Sequence, residues 1–525
     1  MDGETGGGSA DVSAWFVPPA DANPKLGNTV TYGNEIVFYI EYRDYYKALA
    51  DELAKTSSSD HFIYFADWQL GLDTWMDAAG KRATFRTLLE NANRQNVQIR
   101  SLLYNGSIVH DPVHNQAAAE WINSLQPGAA LLDNRYLIAG SHHQKMVIIK
   151  NSDGVVGFCG GMDIAENRQR RDDGPNPPIS GEPRAWHDVQ ARIAGPAALF
   201  LWRTFNARWI DFQQCWDILG KPSVVTPPFP DKLTGKKAVQ VVRTFGNGAR
   251  HEGLRISPSA SQGYSFAPAG EMTIYKLICS AIRNTKETIY LEDQYLVESE
   301  KIGTNDSIAE VLADTISKSS FKLMVILVPG AGSLQGELCQ VWRRRTKFWQ
   351  LLGPKAIDKV KIYAYRDLPE SPYLVHSKTW IFDDSFAIVS SANSNRRGYS
   401  HDSEVGVGVA DLTQGQTPLP KDLRVRLWLK HLNTKGPTRS AADVDDFAAS
   451  AALWDTPDIA VEPLDLAHPS NQWPDHLIEK ILPNKIDLTL EMLPMSLFLS
   501  NAPSLTINLN NWDREWNYII DPDGS

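Results

Sequence analysis

Apolar and polar positions along this chain run through the same succession of patterns twice. Phe62-Ile-Tyr-Phe-Ala-Asp-Trp-Gln-Leu70 and Thr288-Ile-Tyr-Leu-Glu-Asp-Gln-Tyr-Leu296 are apolar runs of strand length, with Tyr64 matching Tyr290 and Asp67 matching Asp293. Each is followed by a helical pattern, 82–95 and 307–319, and then by a second apolar strand, 97–104 and 322–328. Later in each half comes a strand, turn and strand: 143–149, 150–154 and 155–163 in the first, 376–382, 383–385 and 386–393 in the second. Both hairpins open on a His-x-Lys triplet, His143-Gln-Lys145 and His376-Ser-Lys378, the chain's only two. Residues two apart on a strand share a face, so each hairpin is expected to present its histidine and lysine together. Alternating strands and helices predict an α/β fold with a mixed sheet covered on both faces, built here from a duplicated unit.

The repeat divides the chain. Residues 1–33, rich in Gly, Pro, Asn and Asp, read as an N-terminal arm pinned by Trp15 and Phe16. The first lobe is expected over 34–238 and the second over 239–435, ending in a helix at 423–432, with Pro222–Pro230 as the linker and 436–525 as a C-terminal extension. An apolar content of 42% suits a compact enzyme-sized protein, and four scattered cysteines suit reduced core positions. Acidity belongs to the tail: residues 441–525 carry 15 acidic and 3 basic side chains, against 47 and 49 in residues 1–440. Neither part is the basic body of a duplex-wrapping protein, which disfavours nucleic acid as partner. No secretory signal and no membrane-spanning run is visible, so a cytoplasmic location is the default, with signal-independent export left open and membrane contact expected to be peripheral and transient.

Two His-Lys half-sites supply what cleavage of a phosphodiester needs. One neutral imidazole can attack phosphorus and form a phosphohistidine, while the other, protonated, delivers a proton to the leaving oxygen and then activates water. Lys145 and Lys378 can hold the non-bridging oxygens, assisted by Asn393 and Asp163. Each ring needs an acceptor on its other nitrogen. Asp188 and Glu404, both acidic residues entering an alternating strand after a hairpin, are assigned one to each histidine, and the sequence leaves open which serves which. The scheme needs no metal or other cofactor.

With these residues in place the chain resembles the phospholipase D superfamily, whose motif is His-x-Lys-x4-Asp followed by a small-residue turn. His376, Lys378 and Asp383 with Ser391-Ala-Asn393 match it fully; the first copy has Lys150 at the acid position, and the nearest carboxylate is Asp153. Gly160-Gly-Met-Asp-Ile164 with Arg168, Trp186-His-Asp188, Ile289-Tyr-Leu-Glu-Asp-Gln-Tyr295 and Leu423-Arg-Val-Arg-Leu-Trp428 follow in the family's order, so the resemblance spans about 34–435. It implies duplicated α/β/α sandwich lobes packed as a pseudo-dimer around one active site. It also implies His143 as nucleophile and His376 as acid, structural roles for Asp383 and Asp153, and hydrolysis of glycerophospholipids to phosphatidic acid and a free head group, with transfer to other alcohols. The alternatives are a nuclease of the same superfamily and a catalytically silent scaffold.

Other patterns receive plainer readings. His142, His187 and His401 neighbour the site residues but have no metal-ligand spacing. Pro329–Gly336 reads as a strand-to-helix turn, and Leu334, Leu338, Trp342, Trp349 and Leu352 as the buried face of a helix whose bases, Arg343, Arg344 and Lys347, are solvated.

Overall fold

The computed structural model describes residues 12–464 except 22, 24, 28, 77–82, 107–111, 137–139, 169–184, 217–221, 231, 232, 234, 248–262, 303, 304, 331–338 and 366–372. The first half contributes strands β1 Thr31–Tyr39, β2 Phe62–Asp67, β3 Gln98–Tyr104, β4 Gly128–Asp133, β5 Met146–Asn151, β6 Gly154–Gly160, β7 Ala185–His187 and β8 Gln190–Ala194. The second contributes β9 Lys237–Phe245, β10 Glu271–Met272, β11 Thr288–Asp293, β12 Leu323–Val328, β13 Val360–Tyr365, β14 Tyr373–Val375, β15 Lys378–Phe382, β16 Phe386–Ser390 and β17 Glu404–Asp411; β18, Val461–Pro463, follows.

All but β7 and β14 join one mixed sheet. Outward from its middle the order is β9-β17-β16-β15-β11-β12-β13 on one side and β1-β8-β6-β5-β2-β3-β4 on the other, so equivalent strands of the two halves occupy equivalent places. Only β2-β3-β4 and β11-β12-β13 are parallel among these. The sequence reading implied a separate sheet for each lobe; instead β1 and β9 pair antiparallel and fuse the two into one. Strands β2, β11 and β12, which read as largely apolar runs, are buried at every position, as covering of both faces requires.

Helices explain the layers. Tyr42–Ala54 (α1), Phe85–Arg94 (α2) and Pro112–Ser124 (α3) cover one face of the first half, where Tyr45, Leu49, Phe85, Leu89 and Ile122 meet Ile63, Phe65 and Ile99. Thr273–Asn284, Ile308–Ile316 and Cys339–Leu352 do the same for the second half, around Leu291 and Ile326. The second of these starts where Ser307 and Glu310 form a reciprocal capping box, a local reason for the expected boundary. The opposite face is shared: Ala198–Trp216 and Leu419–Leu432 lay Phe205, Trp209, Leu427 and Trp428 into one core with Tyr64, Ile148, Val241, Tyr290 and Val407. A core that runs across both halves stabilises their relative placement, and with it anything built at the seam.

The arm and the extension are packed too. Trp15 stacks on Phe386 at 5.4 Å, Phe16 meets it edge-on, and Val17 exchanges two backbone hydrogen bonds with the Gln240 amide. Of residues 436–525, those described add β18 to the β13 edge. On the Cys339–Leu352 helix Trp342, Trp349 and Leu352 are buried as expected. Arg344 is buried as well, rather than solvated, because it pairs with Glu300 at 2.5 Å; Leu334, Leu338 and most of the 329–336 turn lie outside the described residues. No helix among the described residues is long and apolar enough to cross a membrane.

Candidate active site

Both His-Lys triplets sit where one half reaches across to the other. The hairpin reading placed the histidines on the first strand; each lies instead in the extended segment leading into it, since β5 begins at Met146 and β15 at Lys378. Cross-half pairing is the reason. His143 donates its backbone N–H to Ser403 O (2.9 Å), and Ser403 donates to Ser141 O (3.0 Å). In the mirror arrangement β14 pairs parallel with β7, and His376 donates its backbone N–H to His187 O (2.8 Å).

The rings are oriented the same way, each by a carboxylate from the opposite half. His143 Nδ1 lies 3.1 Å from both Glu404 oxygens and 3.0 Å from Ser391 O, and His376 Nδ1 lies 2.5 Å from Asp188 Oδ2. That settles in geometry the pairing the sequence left open, and leaves Nε2 of each ring as the nitrogen available for chemistry. Small residues make room. A Cβ on Gly161 would fall 2.1 Å from Asp188 Oδ1, whereas the equivalent residue, Ser391, donates its hydroxyl to Glu404. His376 is held well below the ordinary histidine value by burial and then by the charges of Lys378, Arg168, Lys145 and His143. Burial also pushes Asp188 up to about 7, with Lys378 pulling the other way. It thus works against a separated ion pair, and one Nδ1···Oδ2 contact links the two groups.

The lysines lie beside their histidines but in different company. Lys145 Nζ donates to His143 O (3.1 Å), is 3.2 Å from Asp163 Oδ1 and lies over the Trp68 ring. Lys378 Nζ donates to His376 O and to Gln294 Oε1 (2.9 Å), and burial brings it down to about 8 against the pull of Asp188 and Asp293. Trp68 and Gln294 are the same position of the repeat. So are Asp163 and Asn393, and they differ in role: Asp163 is buried against Lys145 and Arg168 (2.9 Å), while Asn393 is only half-buried and its Oδ1 has no partner among the described residues. Burial opposes ionisation of Asp163, but Lys145 and Arg168 overcome it and hold the carboxyl below the usual range. Neighbouring Asp67 is pushed well up by burial and by Asp163. Asp163 thus supplies a counter-charge to Lys145 and Arg168. Arg168 also stacks 3.5 Å over Trp186, whose ring centroid is 4.7 Å from that of His376, carrying a first-half cation to the second-half imidazole.

The motif acid explains the mismatch of the first copy. Asp383 accepts the backbone N–H groups of Lys286 and Glu287 (2.7 and 2.8 Å) and of Thr288 (2.8 Å), tying the turn to the start of β11. In the first half Lys150 occupies that place and donates to Asp60 (2.8 Å), the counterpart of Lys286, so the turn is tied to the same point by a side-chain ion pair in place of backbone donors. Asp153 is corrected accordingly: it is exposed and pairs with Lys55 at 3.0 Å, outside the site.

Behind each imidazole is a buried polar network that sequence reasoning missed. On the His143 side His142 Nδ1 meets Ser403 Oγ (2.6 Å) and its Nε2 meets Asp133 (2.9 Å); Arg208 donates to Asp133 (2.7 Å) and Gln144 (2.9 Å), and Gln144 donates to Glu404 O (3.0 Å). On the His376 side Glu292 accepts from Tyr290 (2.7 Å), His187 Nε2 (2.7 Å) and His431 Nε2 (2.9 Å), while Tyr365 Oη meets His431 Nδ1 (2.6 Å). His187, Glu292 and His431 are, among the described residues, a group close enough to hold a metal ion. Their facing atoms are already engaged with one another through hydrogen bonds, which is the arrangement of a proton network. The one advance signal was His187 beside Asp188; nothing in the spacing tied it to Glu292 or His431.

Comparisons with known proteins agree with this geometry. A family model described as "Cardiolipin synthase, PLD-like domain" matches residues 278–416. The chain is 24% identical to phospholipase D alpha 3 of Arabidopsis thaliana over 508 residues, covering 71% of this chain and 61% of that protein. It is 26% identical to phospholipase D alpha 1 of Cynara cardunculus over 413 residues, 58% and 50% of the respective lengths. The chain thus spans about half to three-fifths of these relatives. Among solved structures, the phosphatidylserine synthase of Haemophilus influenzae Rd KW20 shares the fold, with a TM-score of 0.51 at 11% identity over 88% of this chain and 94% of that one.

Proposed function

Because the chain belongs to the phospholipase D superfamily, we propose that it is a phospholipase D-type phosphodiesterase that hydrolyses glycerophospholipids to phosphatidic acid and a free head group. The observation that carries this reading is the reciprocal crossing at the seam: His143 is held by Glu404 and His376 by Asp188, each from the opposite half, with a lysine beside each ring. Such a centre is complete only when both halves contribute, and it is equipped for a two-step displacement.

In the first step His143 Nε2 attacks phosphorus, and His376 protonates the leaving oxygen; the P–O bond to the head group breaks as P–N forms. Glu404 stabilises the positive charge on His143 as it develops. Lys145 and Lys378, with Asn393, draw the non-bridging oxygens into the site. An anionic phosphodiester seated between the lysines raises the proton affinity of His376, which the surrounding cations otherwise depress. In the second step His376 takes a proton from water, oxygen attacks phosphorus, and the P–N bond breaks; a small alcohol in place of water gives transfer.

The test is release of head group from vesicles of mixed phospholipids, run beside single- and double-stranded DNA, with His143→Ala as control. Release from vesicles that disappears in the variant is expected. Cleavage of DNA with intact vesicles would make the protein a nuclease instead, and no cleavage of either would leave a silent scaffold.

A further inference from the structure

We propose that Glu292, His431, His187 and Tyr365 are a positioning network for the second catalytic imidazole, setting the place and tautomer of His376 through His187. The proposal rests on the phosphodiesterase reading of the site.

The network is continuous and buried: Glu292, His187 and His431 are all fully enclosed, and Tyr365 nearly so. Its direction can be worked out from donors and acceptors. Glu292 accepts from His431 Nε2, and Tyr365 Oη lies 2.6 Å from Nδ1 of the same ring, so both ring nitrogens are held. Burial opposes a charge on Glu292, but His187 and His431 overcome it and hold the carboxyl well below its ordinary range. Burial likewise brings His187 down to about 3 against the pull of Glu292, so its ring is neutral and spends its one N–H on Glu292. A carboxylate accepting three donors in a low-dielectric interior fixes all three.

The consequence reaches the reacting ring by two routes. The His187 carbonyl accepts the backbone N–H of His376, and the next residue, Asp188, accepts from His376 Nδ1. The His187 side chain, tied to Glu292, therefore anchors the backbone segment that supplies both supports of His376. Glu292 also lies one turn of strand before Gln294, which holds Lys378. The first half has no equivalent of this device at the same strand position, where Ala66 matches Glu292; there Ser403 stands in the place of His187 and the network runs through Asp133 and Arg208. Among the described residues, Asp188, Lys378, Arg168, Lys145 and His143 are charged or titratable groups that act on His376.

The experiment uses the full chain with phosphatidylcholine vesicles and the soluble diester bis(p-nitrophenyl) phosphate. His431→Ala and Glu292→Gln are expected to lower kcat by roughly 10- to 100-fold with KM within about twofold, and to shift the pH profile of kcat; His431→Gln, which keeps an N–H where Nε2 was, should restore most of the loss. Nitrogen-15 shifts of the His376 ring, which need no substrate, should report a single Nδ1–H tautomer in the wild type and a mixture in His431→Ala. Should the alanine variant not fold, Tyr365→Phe serves the same purpose, with a smaller loss of about 3- to 10-fold in kcat. Folded variants with wild-type kcat, pH profile and His376 shifts would overturn the proposal. A wild type inactive on both probes would count against the phosphodiesterase reading alone, leaving the ring shifts to decide the network.

Discussion

The two halves of the molecule lay down the same strands in the same places, yet they surround their lysines differently. Lys145 has a buried carboxylate, Asp163, and an aromatic lid, Trp68; Lys378 donates to the neutral amide of Gln294, and the repeat partner of Asp163 is the neutral Asn393. His143 has two acceptors, Glu404 and the Ser391 carbonyl, while among the described residues the His376 ring has Asp188 as its acceptor and the Arg168 guanidinium acting on it. Duplication fixes where side chains are presented; single substitutions at matched positions then tune charge on each side of the substrate independently. The difference explains how a nearly two-fold scaffold can carry out a reaction whose two ends, attack and protonation, are not alike.

The largest effects should come from the imidazoles themselves. His143→Ala and His376→Ala are each expected to lose about 10^4-fold or more in kcat, and the double variant to be no worse than either, since the two act as a unit. Two independent centres would instead leave each single variant with about half its activity. Next come the carboxylates. Asp188→Asn should cost roughly 10^3- to 10^4-fold, because it is the sole side-chain acceptor of a buried ring, and Glu404→Gln about tenfold less, because Ser391 O still holds His143. Equal losses would erase the asymmetry.

The lysines separate by pH. Lys378 is held at about 8, below the ordinary lysine value, so it is charged below that pH and neutral above it. Accordingly kcat/KM should fall as pH rises through about 8, and Lys378→Arg, which stays charged, should move that limb upward. The smallest contrast lies at the turns. Asp383→Ala strands three backbone donors and should destabilise by about 1–3 kcal/mol, whereas Asp153→Ala should leave the melting temperature within about 1 °C, both measured by thermal unfolding.

Much of this was legible before any coordinates. The strand-helix-strand repeat, the two hairpins and the acidic candidates Asp188 and Glu404 follow from local periodicity and from motif spacing, which are properties of neighbouring residues. The shared sheet was not, because β1 and β9 are about two hundred residues apart and nothing in either announces its partner. Asp153 is a different case: the nearest carboxylate to the motif position pairs with Lys55, while Lys150 at that position ties the turn to Asp60. That Asp163 is buried against Arg168 as well as Lys145 has no local signature in the sequence. Glu292 and His431 escaped entirely, as a hydrogen-bond network between a strand and a distant helix leaves no periodic trace.

The central claim is that both imidazoles act on one phosphorus atom at the seam of the two halves. A crystal structure of the protein with orthovanadate tests it most directly. The account predicts one vanadium centre bonded to Nε2 of His143, with the opposite apical oxygen hydrogen-bonded to Nε2 of His376 and Lys145 and Lys378 on the equatorial oxygens. Vanadate bound at one histidine with the other ring in a separate pocket would contradict it.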